Sequence, residues 1–229
     1  MVPILLTLAL SVGAALLMLR LSVRNTLRML DDKSTVLRDA ALEERLSRMA
    51  AALDLPAIPV HVFEVEPVNG LAAPDGRIFL TRGFVQKYRQ GQVTADEMAS
   101  VVAHELGHVA LGHSRRRMID MTGQNAVFVV LTAVLSRVLP VIGIWIANLI
   151  ATALASHLSR AAEHEADAYA SALLVRAGIG TAPQKALFAK LGALTGQRGA
   201  PPAWIASHPP AAERIAAIEA REARWGLAG

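Results

Sequence analysis

Met98-Ala99-Ser100-Val101-Val102-Ala103-His104-Glu105-Leu106-Gly107-His108-Val109-Ala110-Leu111-Gly112-His113 is the stretch on which the reading of this chain turns. On a helix, residues four apart lie one turn above each other on one face, so His104 and His108 can grip a single metal ion. Glu105 stands beside the first histidine, within reach of a water at that ion without being a ligand itself. Thr94 is placed to cap the helix, with Glu97 in the capping-box position. Met98, Val101, Val102, Val109 and Leu111 supply apolar surface. An H-E-x-x-H arises by accident in about one shuffled chain in a hundred of this composition. An ordinary buried helix would also leave the charge of Glu105 among apolar neighbours with no partner, which is costly. The spacing therefore predicts a zinc hydrolase. His113 stands at the expected helix end, before Ser114-Arg115-Arg116-Arg117, where an imidazole complements the helix dipole rather than binding metal.

The 229 residues suffice for one domain with a proper core plus appendages. Hydrophobic residues make up 53% and charged ones 18%, an oily balance for a soluble enzyme. A net charge of +4 and a pI near 10.0 raise the possibility of nucleic acid. The arginines, however, cluster beside apolar runs and aromatics to stack on bases are few, so the basic residues read as membrane flanks and no nucleic-acid partner is expected. Cysteine is absent, which excludes disulfides, thiolate ligands and a cysteine nucleophile. Any metal must be held by His, Asp and Glu.

Residues Pro3 to Leu19 are apolar except for Thr7 and Ser11, just long enough to span a bilayer. No basic residue precedes this run and no convincing small-residue cleavage site follows it, so residues 1–22 are expected to be an uncleaved anchor. Arg20, Arg24, Arg28, Lys33 and Arg38 follow, which by the positive-inside rule puts the downstream domain, residues 31–229, on the cytoplasmic face of the cell's inner membrane. Thr35 to Leu53 has helical apolar spacing, and Pro56 and Pro59 end it. Val60 to Val65 alternates as a strand, with His61 a strand residue and not a ligand. The turn signals Asn69-Gly70 and Pro74-Asp75-Gly76 frame a hairpin of Leu71-Ala72-Ala73 and Arg77 to Thr81, followed by a helix from Gly83 to about Gln90. That hairpin either merely covers the core or offers an edge strand to an extended peptide. From Ala126 to His157 a second apolar tract is interrupted by Ser136-Arg137, Pro140, Gly143 and Asn148. If a third ligand lies beyond it, both its ends are on one side of the membrane. The tract, residues 126–157, then reads as a short embedded hairpin or as an oily helical pair packed on the domain.

After that tract comes Arg160-Ala161-Ala162-Glu163-His164-Glu165-Ala166-Asp167. Glu163 and Asp167 share a helical face. Catalytic zinc takes three protein ligands and one open position. Glu163 can complete His104 and His108, while Asp167, one turn on, can hydrogen-bond a ligand imidazole and fix its tautomer. Without the upstream motif, Glu163 and Asp167 would read as a solvated helix pair. His164 and Glu165 point off the shared face and read as solvated charge.

The order H-E-L-G-H, then S-R-x-x-E-x-x-A-D, then Ser207-His208-Pro209-Pro210 with Glu213-Arg214-Ile215, resembles the HtpX / CAAX-prenyl endopeptidase family of gluzincin metallopeptidases over residues from about 35 to 220. The resemblance implies an α+β, mainly helical zincin metalloprotease domain with a small β-sheet, beside the N-terminal transmembrane helix and the second apolar hairpin. It implies one Zn2+ per chain on His104, His108 and Glu163, with Glu105 as general base, Asp167 behind a ligand and His208 near the oxyanion. Residues Asn69 to Ile78 are similar to a family segment bordering the substrate cleft, although Gly70 and Leu71 depart from its pattern. The N-terminus departs too, with one span where membrane members usually begin with two. Arg214 pairs with an active-site carboxylate or coats a surface.

The resulting expectation is a zinc metalloendopeptidase acting on polypeptide substrates, membrane or misfolded proteins, in HtpX-like quality control at the bilayer. An inactive membrane-anchored zinc scaffold, or a zinc hydrolase of a non-peptide substrate, is the alternative. An intact Glu105 argues against the scaffold.

Overall fold

Local caps divide the chain. Asp39 accepts from Leu42 N at 2.9 Å and starts α2 (Ala40–Ala52). Tyr88 Oη donates to the same Asp39 Oδ1 at 2.7 Å. Burial and this bond push the Tyr88 phenol up to about 12. Thr81 caps α3 (Arg82–Arg89). The full Thr94/Glu97 capping box opens α4 (Ala95–Ala110), as the sequence predicts. The structure, a computed structural model, describes residues 2–113, 128, 131, 132, 134, 135, 137, 139, 142–194 and 209–227, and of residues 2–12, 14, 15, 18, 19 and 153–157 the backbone only.

The chain is α+β and mainly helical. Helix α1 (Val2–Asp32) leads into β1 (Ser34–Val36), and after α2 come β2 (Val60–Phe63), β3 (Gly70–Ala72) and β4 (Ile78–Thr81). The sheet order is β1-β2-β4-β3, with β2 and β4 parallel and the outer pairs antiparallel. The expected hairpin is thus β3–β4, with β3 at the sheet edge. The helix expected from Thr35 begins five residues later, because Thr35 and Val36, both β-branched, pair with β2 instead. Beyond α4 lie α5 (Gly143–Arg176), α6 (Ala182–Leu194) and α7 (Ala211–Trp225).

Period-two alternation gives the sheet two apolar faces. Val60, Val62, Ile78 and Leu80 pack with α2, α4, α5 and α6 in the main core. Phe63 and Phe79 face the other way and, with Ala73, receive Leu30 from the last turns of α1. Helix α1 is therefore fastened to the domain at its C-terminal end. Among the described residues, no helix is long and apolar enough to cross a membrane. Most of the anchor expected at residues 1–22 falls on side chains outside the described ones, although its backbone is one unbroken helix. Much of the expected hairpin at residues 126–157 also lies outside them. Its downstream limb is the first half of α5, which runs unbroken through Asn148 into the Glu163 segment.

Candidate active site

The site lies where α4 crosses α5. A methyl added at Gly107 would stand 3.0 Å from both Ala166 Cα and Ala166 O, which are backbone atoms. Only a glycine allows the two helices to come this close. Gly107→Ala is expected to separate them, at a cost of about 1–3 kcal/mol of overpacking, and to weaken metal uptake. Calorimetry beside zinc titration checks it, and an unchanged melting temperature with unchanged uptake would show the crossing to be looser than the contacts say.

At the crossing, His104 and His108 of α4 converge on Glu163 of α5, all three buried. His104 Nε2 lies 3.1 Å from His108 Nε2. Glu163 Oε2 is 3.3 Å from the first of these nitrogens and Glu163 Oε1 is 3.4 Å from the second. Ligand atoms 2.0–2.1 Å from a tetrahedral ion stand about 3.3 Å apart, so this triangle has the size such an ion requires. Among the described residues it is the one group of three such side chains able to hold a metal ion.

Asp167 Oδ1 lies 2.9 Å from His104 Nδ1. A carboxylate only accepts, so Nδ1 carries the proton, and when Nε2 is deprotonated its lone pair faces the triangle. Arg214 of α7 forks onto Asp167, Nε to Oδ2 at 2.7 Å and Nη2 to Oδ1 at 2.6 Å, with its Cζ 3.9 Å above the Phe188 ring. Burial disfavours charge on Asp167, but Arg214 and His104 outweigh it and hold its carboxyl well below the usual range. Burial likewise opposes charge on His104, yet Asp167 and Glu163 push its pKa up to about 9.

His113 is not a free helix-end imidazole. It is buried, with Nδ1 2.9 Å from His108 Nδ1 and Nε2 3.0 Å from Glu165 Oε2. Glu165 lies at the surface as expected but pairs with His113, and His164 likewise pairs near the surface, with Glu213 at 3.0 Å. Arg214 resolves towards the active-site carboxylate. Its signal was an arginine in the buried stripe of α7, beside Ile218 and Arg221. Sequence reading missed Gly107 and Phe188 altogether.

Glu105 is buried beside the triangle and, with His104, lines a cavity that Asn69, Gly70, Phe84, Val101, Leu187 and Phe188 help to enclose. A Cβ at Gly70 would be 2.7 Å from Val101 Cγ1 and 3.2 Å from Glu105 Oε1, so β3 lies directly against α4. Of the two cleft residues expected, the structure brings Asn69 to the cavity. Ile78 is 1% exposed and belongs to the core, because its strand position faces α2 and α4. His208 lies outside the described residues.

A pair of histidines one turn apart with a carboxylate from a second helix, beside a glutamate in a cleft, defines the class of metallopeptidases. Residues 36–222 match peptidase family M48, and the chain belongs to that family. It is similar to metalloprotease LoiP of Escherichia coli (strain K12), 31% identical over 203 residues that cover 86% of this chain and 78% of that protein. It is also similar to metalloprotease YcaL of the same organism, 30% identical over 182 residues, 78% of this chain and 69% of the other. The crystal structure of S. mikatae Ste24p aligns with a TM-score of 0.49 and 24% identity, covering 81% of this chain and 51% of that one.

Proposed function

We propose that this metallopeptidase is a zinc endopeptidase in which His104, His108 and Glu163 hold one zinc ion and Glu105 is the general base. The triangle of donor atoms carries the reading. Two imidazoles and a carboxylate suit zinc better than calcium or magnesium, which take oxygen ligands. A bound zinc would supply a Lewis acid that polarises the scissile carbonyl and acidifies water. Glu105 takes the proton of the attacking water and delivers it to the leaving amine. Asp167 and Arg214 hold His104 in the tautomer that faces the ion. His208 is assigned to the oxyanion on the family resemblance alone.

An extended polypeptide is proposed to add to the edge of β3, main chain to main chain, with a hydrophobic side chain against Phe84, Leu187 and Phe188. Asn69 lines the same cavity and its buried Oδ1 has no hydrogen-bond partner among the described residues, which suits an acceptor for a substrate amide. Residues 1–22 are proposed as a membrane anchor and residues 31–229 as the catalytic domain, acting on membrane or misfolded proteins. Supporting this, the apolar run Pro3 to Leu19 lies within the single unbroken helix α1. The start of α5 leaves Ile144, Leu149 and Trp145, the last 74% exposed, on its surface. The basic flank after the anchor supports a cytoplasmic orientation.

The test is casein cleavage by the full chain in detergent. A chelator should abolish cleavage, and one equivalent of zinc should restore it. Cleavage that persists in the chelator with no metal bound would end the zinc reading.

A further inference from the structure

The mechanism above makes no use of His113 or Glu165. We infer that they form a hydrogen-bonded relay that fixes the tautomer and ring orientation of His108, the counterpart of what Asp167 and Arg214 do for His104. The inference rests on His108 being a metal ligand, as proposed.

The local chain builds the contact. Helix α4 ends at Ala110, and Gly112 adopts φ +67°, a left-handed conformation that suits glycine and turns the backbone. His113 is thereby brought back onto the helix it has just left, 4% exposed. Its ring meets that of His108 edge-on, with centroids 5.0 Å apart and planes at 68°. Nδ1 faces Nδ1 at 2.9 Å, the geometry of a hydrogen bond rather than of a stack.

If His104 Nε2 and His108 Nε2 are both to offer lone pairs to one ion, proton placement has one solution. Glu165 Oε2, 3.0 Å from His113 Nε2, is an acceptor, so that nitrogen carries the proton. Neutral His113 is left with a lone pair on Nδ1, which accepts from His108 Nδ1–H. His108 Nε2 is then bare and faces the triangle. The reverse order would put the His108 proton on Nε2, 3.1 Å from His104 Nε2, and remove a ligand lone pair. One ligand imidazole is thus backed by a buried ion pair, and the other by a neutral ring whose carboxylate, 51% exposed, reaches the surface. His113 is a positioning residue acting through His108.

The experiment uses the full-length protein, with zinc affinity measured by competition against a chromophoric chelator and the visible spectrum taken with cobalt(II). His113→Phe keeps a ring but offers no acceptor, and should bind zinc about 10- to 100-fold more weakly with a shifted cobalt spectrum. His113→Asn puts an amide oxygen near the Nδ1 position and should recover to within about threefold of wild type. Glu165→Leu, a surface change, should weaken zinc less than His113→Phe but measurably, and it decides the matter should His113→Phe fail to fold. Wild-type affinity and spectrum in His113→Phe would overturn the relay. So would equal losses in the Phe and Asn variants, since packing alone would then explain them. Wild-type zinc affinity in His108→Ala would instead remove the ligand assignment, and this inference with it.

Discussion

Glu105→Gln should lower kcat for peptide cleavage by about 10²- to 10⁴-fold while leaving zinc content, fold and KM nearly unchanged. The expectation comes from what the substitution keeps and what it removes. Glutamine has the same volume, so a side chain already buried between α4 and β3 can be replaced without a cavity or a clash. Glu105 is absent from the converging donor triangle, so the metal site keeps its donors. What is lost is the function proposed for this carboxylate, accepting a proton at the reacting centre. General-base catalysis alone is worth about 10²- to 10⁴-fold. A thousandfold loss corresponds to about 4 kcal/mol of transition-state stabilisation.

The control is Glu163→Gln, which should lose metal and activity together. Both variants change one buried glutamate to its amide, and metal analysis separates them. A Glu105→Gln protein that retained a tenth of wild-type kcat would show that Glu105 is not the base. One that lost zinc would mean that Glu105 is a ligand and that the triangle is incomplete.

What the sequence reveals and what it hides follow from the range of each interaction. The capping box of α4 lies within one turn, so Thr94 and Glu97 could be paired by inspection. The same holds for the turn chemistry that frames β3 and β4. The ligand pair His104/His108 is also local. Glu163 could be proposed as the third donor because it shares a helical face with Asp167, within the S-R-x-x-E-x-x-A-D segment that carries the family resemblance. Strand β1 was absorbed into a helical pattern because three residues carry almost no periodicity, and its pairing partners lie some 27 residues downstream. Gly107 reads as an indifferent helix residue until Ala166 is seen against it. His113 depends on a backbone reversal at Gly112 that a glycine permits but does not announce. Arg214 was visible only as an ambiguity, since an arginine's burial is decided by a carboxylate 47 residues away.

Arg214→Met should prove the most destabilising of these substitutions at neutral pH. Arg214 is 1% exposed and supplies both arms of a fork onto an equally buried Asp167. Methionine roughly fills the volume against Phe188 but leaves the carboxylate with the His104 N–H as its chief partner. Breaking a buried pair on one side costs about 3–5 kcal/mol. For a chain of this size that is a fall of roughly 6–20 °C in melting temperature. The loss has a sign in pH. In the wild type the folded carboxyl titrates below its unfolded value near 4, so the pair's contribution is complete above about pH 4 and is lost as pH falls through the folded value. In the variant the lowering by Arg214 is gone while burial still raises the folded value, so that value is expected to move up and protonation on acidification to relieve the buried charge. The gap between the two proteins should therefore be widest at neutral pH and close as pH approaches 4. Adding Asp167→Asn should recover part of the stability at pH 7, because the amide removes the stranded charge, and this non-additivity identifies the pair as the cause. A gap independent of pH, or no recovery in the double variant, would mean that Arg214 stabilises α7 through its stacking on Phe188 and not through Asp167.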